Sequence, residues 1–384
     1  MRIGFFTDSY LPNIDGVVAT LLGYKRELAR RGHKAFVFTS GTRSDRELNR
    51  DPSVFYYDAI PFPAYPAYKL AVFPFSASRE AKRCRLDIVH SHAITMMGFG
   101  SVKAARDLNV PLVGTFHTML PLAATSYYKK YRLASTLARN VMWQGVKVFY
   151  GYFDLVTAPT KTVAKILEEK GVHNVVVVPN GVDTRKYHPG IDREPVRKMM
   201  GLARGEKLLV CAGRVSYEKN IDVLVRACRI LRARNEKFRM VITGDGPAAG
   251  TLRQQISALG LGDAVTLIGF CPSYELPYYY AAADAIVTAS TFETQGLAML
   301  EAMACGAPVV GADSLAIPEA VKDGYNGYLF EPGNSADCAE KICKLINAPK
   351  ARLAALSRHA SDFAMSMSME DSTDRLLNAY SEVL

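Results

Sequence analysis

Glu293 and Glu301 stand eight residues apart in the run Thr291-Phe-Glu-Thr-Gln-Gly-Leu-Ala-Met-Leu-Glu-Ala302. The preceding stretch, Ala285-Ile-Val-Thr-Ala-Ser290, is short and apolar, as a buried parallel strand would be. Gly296 and good helix formers from Leu297 follow. The order predicts a strand-to-helix loop carrying Glu293, and Glu301 on the first turns of the helix. Backbone N–H groups at a helix start are unsatisfied and attract phosphate. Carboxylates on both sides of such a cradle suit a ligand with hydroxyls flanking a phosphate, and a nucleotide sugar has that form.

Two cations upstream fit the same ligand. Leu208-Leu-Val-Cys-Ala-Gly213 reads as another buried strand, and it runs into Arg214-Val-Ser-Tyr-Glu-Lys219-Asn220. Arg214 and Lys219 therefore stand at the carboxyl end of a strand, where open α/β sheets bind ligands. A forked guanidinium and a point-charge ammonium together match a diphosphate. A lone Arg, Lys or Glu in a loop is ordinarily just solvated. Four such groups in this order on successive strand ends argue against that bland reading.

The strands and helices that must hold these groups alternate along the chain. Strands are expected at Arg2–Thr7, Lys34–Thr39, Ile88–Ser91, Leu112–Thr115, Leu155–Ala158 and Val175–Val178. The pattern restarts after Asn180-Gly181, with strands at Leu208–Ala212, Phe238–Thr243, Ala264–Ile268, Ala285–Thr288 and Pro308–Gly311. An amphipathic helix runs from Gly16 to Arg31 and is closed by Gly32. Strands separated by helices imply parallel sheets with right-handed crossovers, hence an α/β fold of two Rossmann-like domains.

The same residues resemble the large retaining glycosyltransferase family four. Its hallmark is a Glu, seven residues and a second Glu, matched by Glu293 and Glu301; its Gly-Arg…Lys element is matched by Gly213, Arg214 and Lys219. Phe6-Thr-Asp-Ser-Tyr-Leu-Pro-Asn-Ile-Asp-Gly-Val-Val18 is similar to its glycine loop, and Pro179-Asn-Gly-Val-Asp183 to its linker signature. Gly244-Asp-Gly-Pro247 and the segment Glu319 to Phe330 fit as well. The resemblance spans nearly the whole chain. It implies the GT-B arrangement, two Rossmann-like domains facing a deep cleft. Residues 1–185 would form the acceptor-binding domain and 186–366 the nucleotide-sugar domain. Residues 367–384 would be a helix returning to the first domain.

Roles follow from the resemblance. Glu301 would bind the ribose hydroxyls and Glu293 the transferred sugar. Arg214 and Lys219 would hold the diphosphate, helped by the amides of Gly296 and Leu297. Gly269 and Phe270 would lie along the base, and Gly16 would bring its backbone against phosphate or sugar. Thr115-Phe-His-Thr118 resembles the family's sugar-contacting motif, which makes His117 a hydrogen-bond partner of the donor sugar. His90 and His92 also end a strand, in Asp87-Ile-Val-His-Ser-His92; they have metal-like spacing but no carboxylate partners, so they are expected to line the cleft. No Asp-x-Asp motif occupies a donor loop, so no essential metal and no cofactor beyond the nucleotide co-substrate is expected. The resemblance also implies front-face attack with retention.

Composition narrows the partners. The net charge of +10 arises in residues 1–185, with 25 Lys+Arg against 14 Asp+Glu; the remainder has 22 against 23. No acidic residue lies between Asp107 and Asp154, an interval with Lys129, Lys130, Arg132, Arg139, Lys147 and many aromatics. Residues 126–153 therefore read either as core aromatics with a solvated basic face or as a patch for an anionic membrane surface. No nucleic-acid-binding signature accompanies it, so nucleic acid is not expected. Seven cysteines without a paired framework argue for a reducing compartment, and no apolar run is long enough to span a bilayer. A cytoplasmic enzyme, peripheral on the membrane face, is expected. His117-Thr-Met-Leu-Pro-Leu122 and the basic stretch resemble the family's lipid-glycosylating subset, such as diacylglycerol glucosyltransferases and phosphatidylinositol mannosyltransferases. The donor would be UDP-glucose, another UDP-hexose or GDP-mannose, and the acceptor a lipid hydroxyl.

Other readings stay open at this level. The acceptor could be a soluble sugar, a sugar phosphate or a polysaccharide. The chain could be a non-catalytic nucleotide-sugar-binding module, or an epimerase of similar architecture. Val241-Ile-Thr-Gly-Asp-Gly-Pro-Ala-Ala249 also matches the outline of a dinucleotide fingerprint, with Asp263 further on. Against this, Asp263 precedes the next strand instead of ending it, and Pro247 sits where amides should meet a pyrophosphate.

Overall fold

Short β-branched and aromatic runs punctuated by amphipathic helices give two open sheets. The computed structural model describes residues 1–62, 65–72, 74–119 and 132–384. The chain divides into two units, Met1–Gly181 with Met369–Leu384, and Val182–Ser368.

The first unit contains β1 (Arg2–Thr7), β2 (Lys34–Gly41), β3 (Val54–Phe62), β4 (Tyr65–Ala71), β5 (Ile88–Ser91), β6 (Leu112–Thr115), β7 (Leu155–Ala158) and β8 (Val175–Val177). They form an eight-stranded sheet in the order β4-β3-β2-β1-β5-β6-β7-β8. The ladders are parallel except for β3–β4. That antiparallel edge pair is a correction to the expected all-parallel sheet. Pro61 and Pro66 hide it in the sequence, because proline cannot donate to a ladder and survives only at a sheet edge.

Alternation places Ile3 and Phe5 on one face of β1, packed with Val18, Leu21, Leu28, Leu376 and Tyr380. Phe6 faces the other side and stacks on Phe38 with centroids 4.5 Å apart. The helix Met369–Ser381 packs against the helix Gly16–Arg30 within this unit. Its seam is polar at one point, where the Tyr24 hydroxyl meets Ser372 Oγ at 2.8 Å, and ionic at its edge, where Arg31 meets Asp374 at 2.8 Å.

The second unit contains β9 (Lys207–Ala212), β10 (Phe238–Thr243), β11 (Val265–Gly269), β12 (Ala285–Thr288), β13 (Val309–Ala312) and β14 (Gly327–Phe330). All are parallel, in the order β11-β10-β9-β12-β13-β14. The sheet is buried on both faces. Leu209 and Cys211 join one core cluster while Leu208 and Val210 join the other, a period of two with no polar face. β14 was not among the expected strands: four residues opening on a glycine offer no periodicity.

Strand order reverses in each sheet, between β1 and β5 in the first and between β9 and β12 in the second. At such switch points the loops leaving neighbouring strands diverge and open a crevice at the carboxyl ends. Those loops carry the residues singled out above.

Candidate functional site

In the second unit, the loop after β9 and the loop after β12 leave the two sides of the switch point. The first loop turns through the short 3-10 helix Tyr217–Lys219 into the helix Ile221–Ala233. Asn220 sits between them at φ +48°. Its amide nitrogen donates to the Ala289 carbonyl at 3.4 Å and to Thr291 Oγ1 at 3.1 Å. One side chain thus ties the cation-bearing loop to the carboxylate-bearing loop. The sequence reading missed it, and an Asn beside a helix start reads only as a cap.

The tie brings Lys219 Nζ to 2.5 Å from Glu293 Oε1. Burial opposes ionisation of Glu293, but the Lys219 ammonium, a Ser290 hydrogen bond and the charge of Arg214 outweigh it and hold the carboxyl below its ordinary range. Arg214 lies 4.0 Å from Glu218 Oε1 and is 40% exposed, so its guanidinium is within reach of a ligand. Glu218 is buried and accepts from Ser216 Oγ at 2.6 Å; its other oxygen has no partner.

Gly296 caps the helix Leu297–Ala304 at φ +82°, a left-handed conformation that glycine adopts without strain. A Cβ there would lie 3.7 Å from Glu293 Cγ, so the helix start sits against the Glu293 side chain. Gly296 and Leu297, at the start of that helix, therefore lie beside the Lys219–Glu293 pair. Glu301 lies on the same helix among Lys186, Tyr187 and Tyr280. Burial pushes its carboxyl up to about 7, against the opposing influence of Lys186 and the two tyrosine hydroxyls. The Tyr280 hydroxyl is itself buried without a hydrogen-bond partner, so its approach to Glu301 falls short of a formed bond.

Gly269 ends β11 and Phe270 follows it. The Gly269 carbonyl accepts from the Gly244 N–H at 2.6 Å, and Phe270 is 67% exposed. Gly244 packs so closely on the β9 loop that a Cβ would stand 2.0 Å from the Gly213 carbonyl oxygen. That contact explains the glycines of the Gly-Asp-Gly motif as loop packing next to Arg214. Asp263 forms a surface pair with Arg232 at 2.5 Å and is 70% exposed. The dinucleotide fingerprint thus has no ribose-binding acid.

In the first unit, Gly16 is the exposed first residue of its helix, capped by Asp15, whose Oδ1 accepts from the Val18 N–H at 2.9 Å. Asp8, just past β1, accepts from Thr95 Oγ1 at 2.5 Å, and burial pushes its carboxyl up to about 6. His117 follows β6, and its Nε2 lies 2.8 Å from His92 Nδ1. His90 bonds Tyr380 through Nδ1 and Thr115 through Nε2, each at 2.7 Å. Burial lowers His90 to about 3 and His117 to about 4, and holds His92 well below its ordinary value as well. All three rings are neutral near pH 7. Adjacent strand ends, β5 and β6, were the signal that could have paired them.

The second unit thus joins Arg214, Lys219, Glu293 and the Gly296–Leu297 amides, with Gly269 linked through Gly244 and Glu301 farther along the helix. Arg214 and Lys219, each beside a carboxylate (Glu218 and Glu293), stand with the start of the Leu297–Ala304 helix at the strand-order reversal. Among the described residues no cluster of His, Cys, Asp and Glu has an arrangement to hold a metal ion. None of the helices among the described residues is long and apolar enough to cross a membrane.

Known proteins bear on this geometry. Residues 14–186 match "Glycosyltransferase Family 4", and residues 192–360 match "Glycosyl transferases group 1". An alpha-monoglucosyldiacylglycerol synthase of Streptococcus pneumoniae is 33% identical over 86% of this chain and 75% of its own. A D-inositol 3-phosphate glycosyltransferase of Stackebrandtia nassauensis is 31% identical over 96% and 87%. Anabaena Alr3699/HepE in complex with UDP superposes with a TM-score of 0.79 at 22% identity, covering all of both chains. The protein belongs to the group 1, family 4 glycosyltransferases and moves a hexosyl group from a nucleotide sugar.

Proposed function

We propose that Arg214, Lys219 and the Gly296 and Leu297 amides hold the donor diphosphate, Glu293 contacts the transferred hexose, and Glu301 binds the ribose hydroxyls. Phe270 and Gly269 lie along the base, Gly16 approaches the phosphate or sugar, and His117 hydrogen-bonds the sugar. The observation carrying this reading is the Lys219–Glu293 pair beside Arg214 at the strand-order reversal of the second sheet. The acceptor is a membrane-lipid hydroxyl. Relatives named as alpha-monoglucosyldiacylglycerol synthases, in Streptococcus pneumoniae and Acholeplasma laidlawii, support it.

The acceptor oxygen attacks the anomeric carbon on the face the phosphate leaves. The bond from that carbon to the phosphate oxygen breaks, and its electron pair stays on the diphosphate. The acceptor's proton passes to the same phosphate oxygen. Arg214 and Lys219 are preorganised where charge develops, and donors placed that way contribute about 3–4 kcal/mol each. No nucleophilic carboxylate and no metal is invoked.

Purified protein given UDP- and GDP-hexoses with a membrane-lipid extract should yield a lipid heavier by one hexose. A product found only on soluble sugars would replace the lipid acceptor with the alternative reading, and binding without any turnover would favour a non-catalytic module.

Glu301 adds a pH signature. A carboxyl titrating near 7 accepts ribose hydroxyl protons best when ionised, so its contribution grows as pH rises. Nucleoside diphosphate affinity should tighten roughly tenfold between about pH 6 and 8. The Glu301→Gln protein reports the ligand's own titration and should show little change beyond it. Equal slopes for the two proteins in calorimetric titrations would remove Glu301 from the ribose.

Peripheral binding to an anionic membrane face is part of the same proposal. Residues 126–131 of the basic stretch lie outside the described residues. The helix Arg132–Tyr150 supports the reading: Trp143, Val146, Phe149 and Tyr150 are buried, while Leu137, Val141 and Val148 are more than 60% exposed.

A further inference from the structure

The short turn Tyr217–Lys219 is built inside out. Tyr217 is 50% exposed, whereas its neighbour Glu218 is 6% exposed. A glutamate is almost never buried to that degree unless a partner holds it, because desolvating a carboxylate is costly. The backbone keeps it there. The Val215 N–H donates to the Asp245 carbonyl and the Val215 carbonyl accepts from the Ala248 N–H, each at 3.0 Å. The Lys219 N–H closes the turn on the Ser216 carbonyl at 3.1 Å, and the Asn220 side chain donates to the Glu218 carbonyl at 3.3 Å.

The contacts of the Glu218 carboxylate are few. Oε1 accepts from Ser216 Oγ at 2.6 Å and lies 4.0 Å from the Arg214 guanidinium, while Oε2 has no hydrogen-bond partner. Among the described residues no backbone N–H donates to it. A carboxylate kept only to brace the loop would turn both oxygens to loop donors, since buried polar atoms are nearly always paired. Arg214 is also gripped at its stem, where a Cβ on Gly246 would stand 3.2 Å from Arg214 Cγ. Packing thus holds the stem and charge acts on the head. All of these residues lie in the second unit.

We infer that Glu218 is a positioning residue for Arg214: oriented by Ser216, its carboxylate holds the guanidinium in the arrangement that meets the diphosphate. This rests on the proposed role of Arg214 at the diphosphate. A long side chain that is ordered only on binding gives up affinity to rotamer entropy, and an ordered one does not.

Selective 15N labelling of arginine in the whole chain reads the order of the Arg214 Nε–H, its signal assigned by loss in Arg214→Ala. Without ligand it should be ordered in the wild type, mobile in Glu218→Gln, and intermediate in Ser216→Ala. Glutamine keeps the shape and can still accept from Ser216, but removes the charge. Order that is the same in all three proteins overturns the inference. If the glutamine variant does not fold, the serine variant decides. Calorimetric titration with UDP and GDP reads the consequence. Glu218→Gln should weaken the tighter nucleotide on the order of tenfold, and the same change made in Arg214→Ala should weaken it no further. An equal loss in both backgrounds would make Glu218 a brace of the loop and overturn the inference too. If neither nucleotide binds, or Arg214→Ala binds both like wild type, while the order of Arg214 still depends on Glu218, the positioning stands and the assignment of Arg214 to the diphosphate falls.

Discussion

Lys219→Ala is expected to reduce sugar transfer on the order of a thousandfold while leaving the fold intact. The ammonium stands at the switch point of the second sheet, paired to Glu293; on the proposed reading, charge accumulates there as the glycosyl–phosphate bond breaks. Removing one such preorganised donor costs about 10²–10³ in rate, and losing the partner of Glu293 adds to that. Glu293→Gln should fall comparably, because the two groups act as one unit. The double substitution should then cost little more than either alone.

The pair also carries a stability signature. Glu293 titrates below its ordinary value, so its contribution is present above the unfolded carboxyl's pKa and is lost as pH falls through the folded one. Lys219→Ala removes the attraction and leaves burial to raise that pKa, so its melting temperature should drop most near neutral pH and converge on wild type in acid. Steady-state transfer and thermal melts from about pH 4 to 8 read both effects. Turnover near the wild-type rate in either single variant would reject the donor-site assignment.

Leu137→Glu combined with Val141→Glu should abolish binding to anionic vesicles. Leu137, Val141 and Val148 fall within about 40° of one another around the helix axis, and each is more than 60% exposed. The opposite face already packs on the core through Trp143 and Phe149, so the exposed stripe is surplus to folding. Burying two such side chains in an interface contributes about 3 kcal/mol, and adding two negative charges opposes the lipid charge, so partitioning should fall a hundredfold or more. Exposed substitutions of this kind change stability little. Wild-type binding should weaken with added salt, because the basic residues of the 126–153 stretch attract anionic headgroups through a screened field. Sedimentation with vesicles of anionic and neutral lipid at low and high salt makes the measurement. Variant and wild type pelleting alike would refute membrane docking through this helix, while retained donor hydrolysis would show that the catalytic unit is untouched.

Much of the cluster of Arg214, Lys219 and Glu293 was legible from residue order. Carboxyl ends of strands were read correctly at β1, β5, β6, β7, β9, β10 and β12, because short, largely apolar runs mark buried parallel strands. Arg214, Lys219 and Glu293 then follow from chain order, since each lies a few residues past such an end. The edge pair β3–β4 was not legible, because prolines erase its alternation. Nor was the tie made by Asn220, whose two partners come from a loop about seventy residues on.

Local sequence alone settled most element types, the parallel ladders away from the β3–β4 edge, and the placement of charged groups at carboxyl strand ends. These depend on periodicity and on turn chemistry within a few residues. Folding in three dimensions decided which side chains meet. Lys219 finds Glu293 because β9 and β12 are neighbours, and His92 finds His117 because β5 and β6 are. Strand adjacency is set by packing of non-local faces, and so are the protonation states that follow: Glu301 near 7 and three neutral histidines are consequences of burial, which no short stretch of sequence encodes.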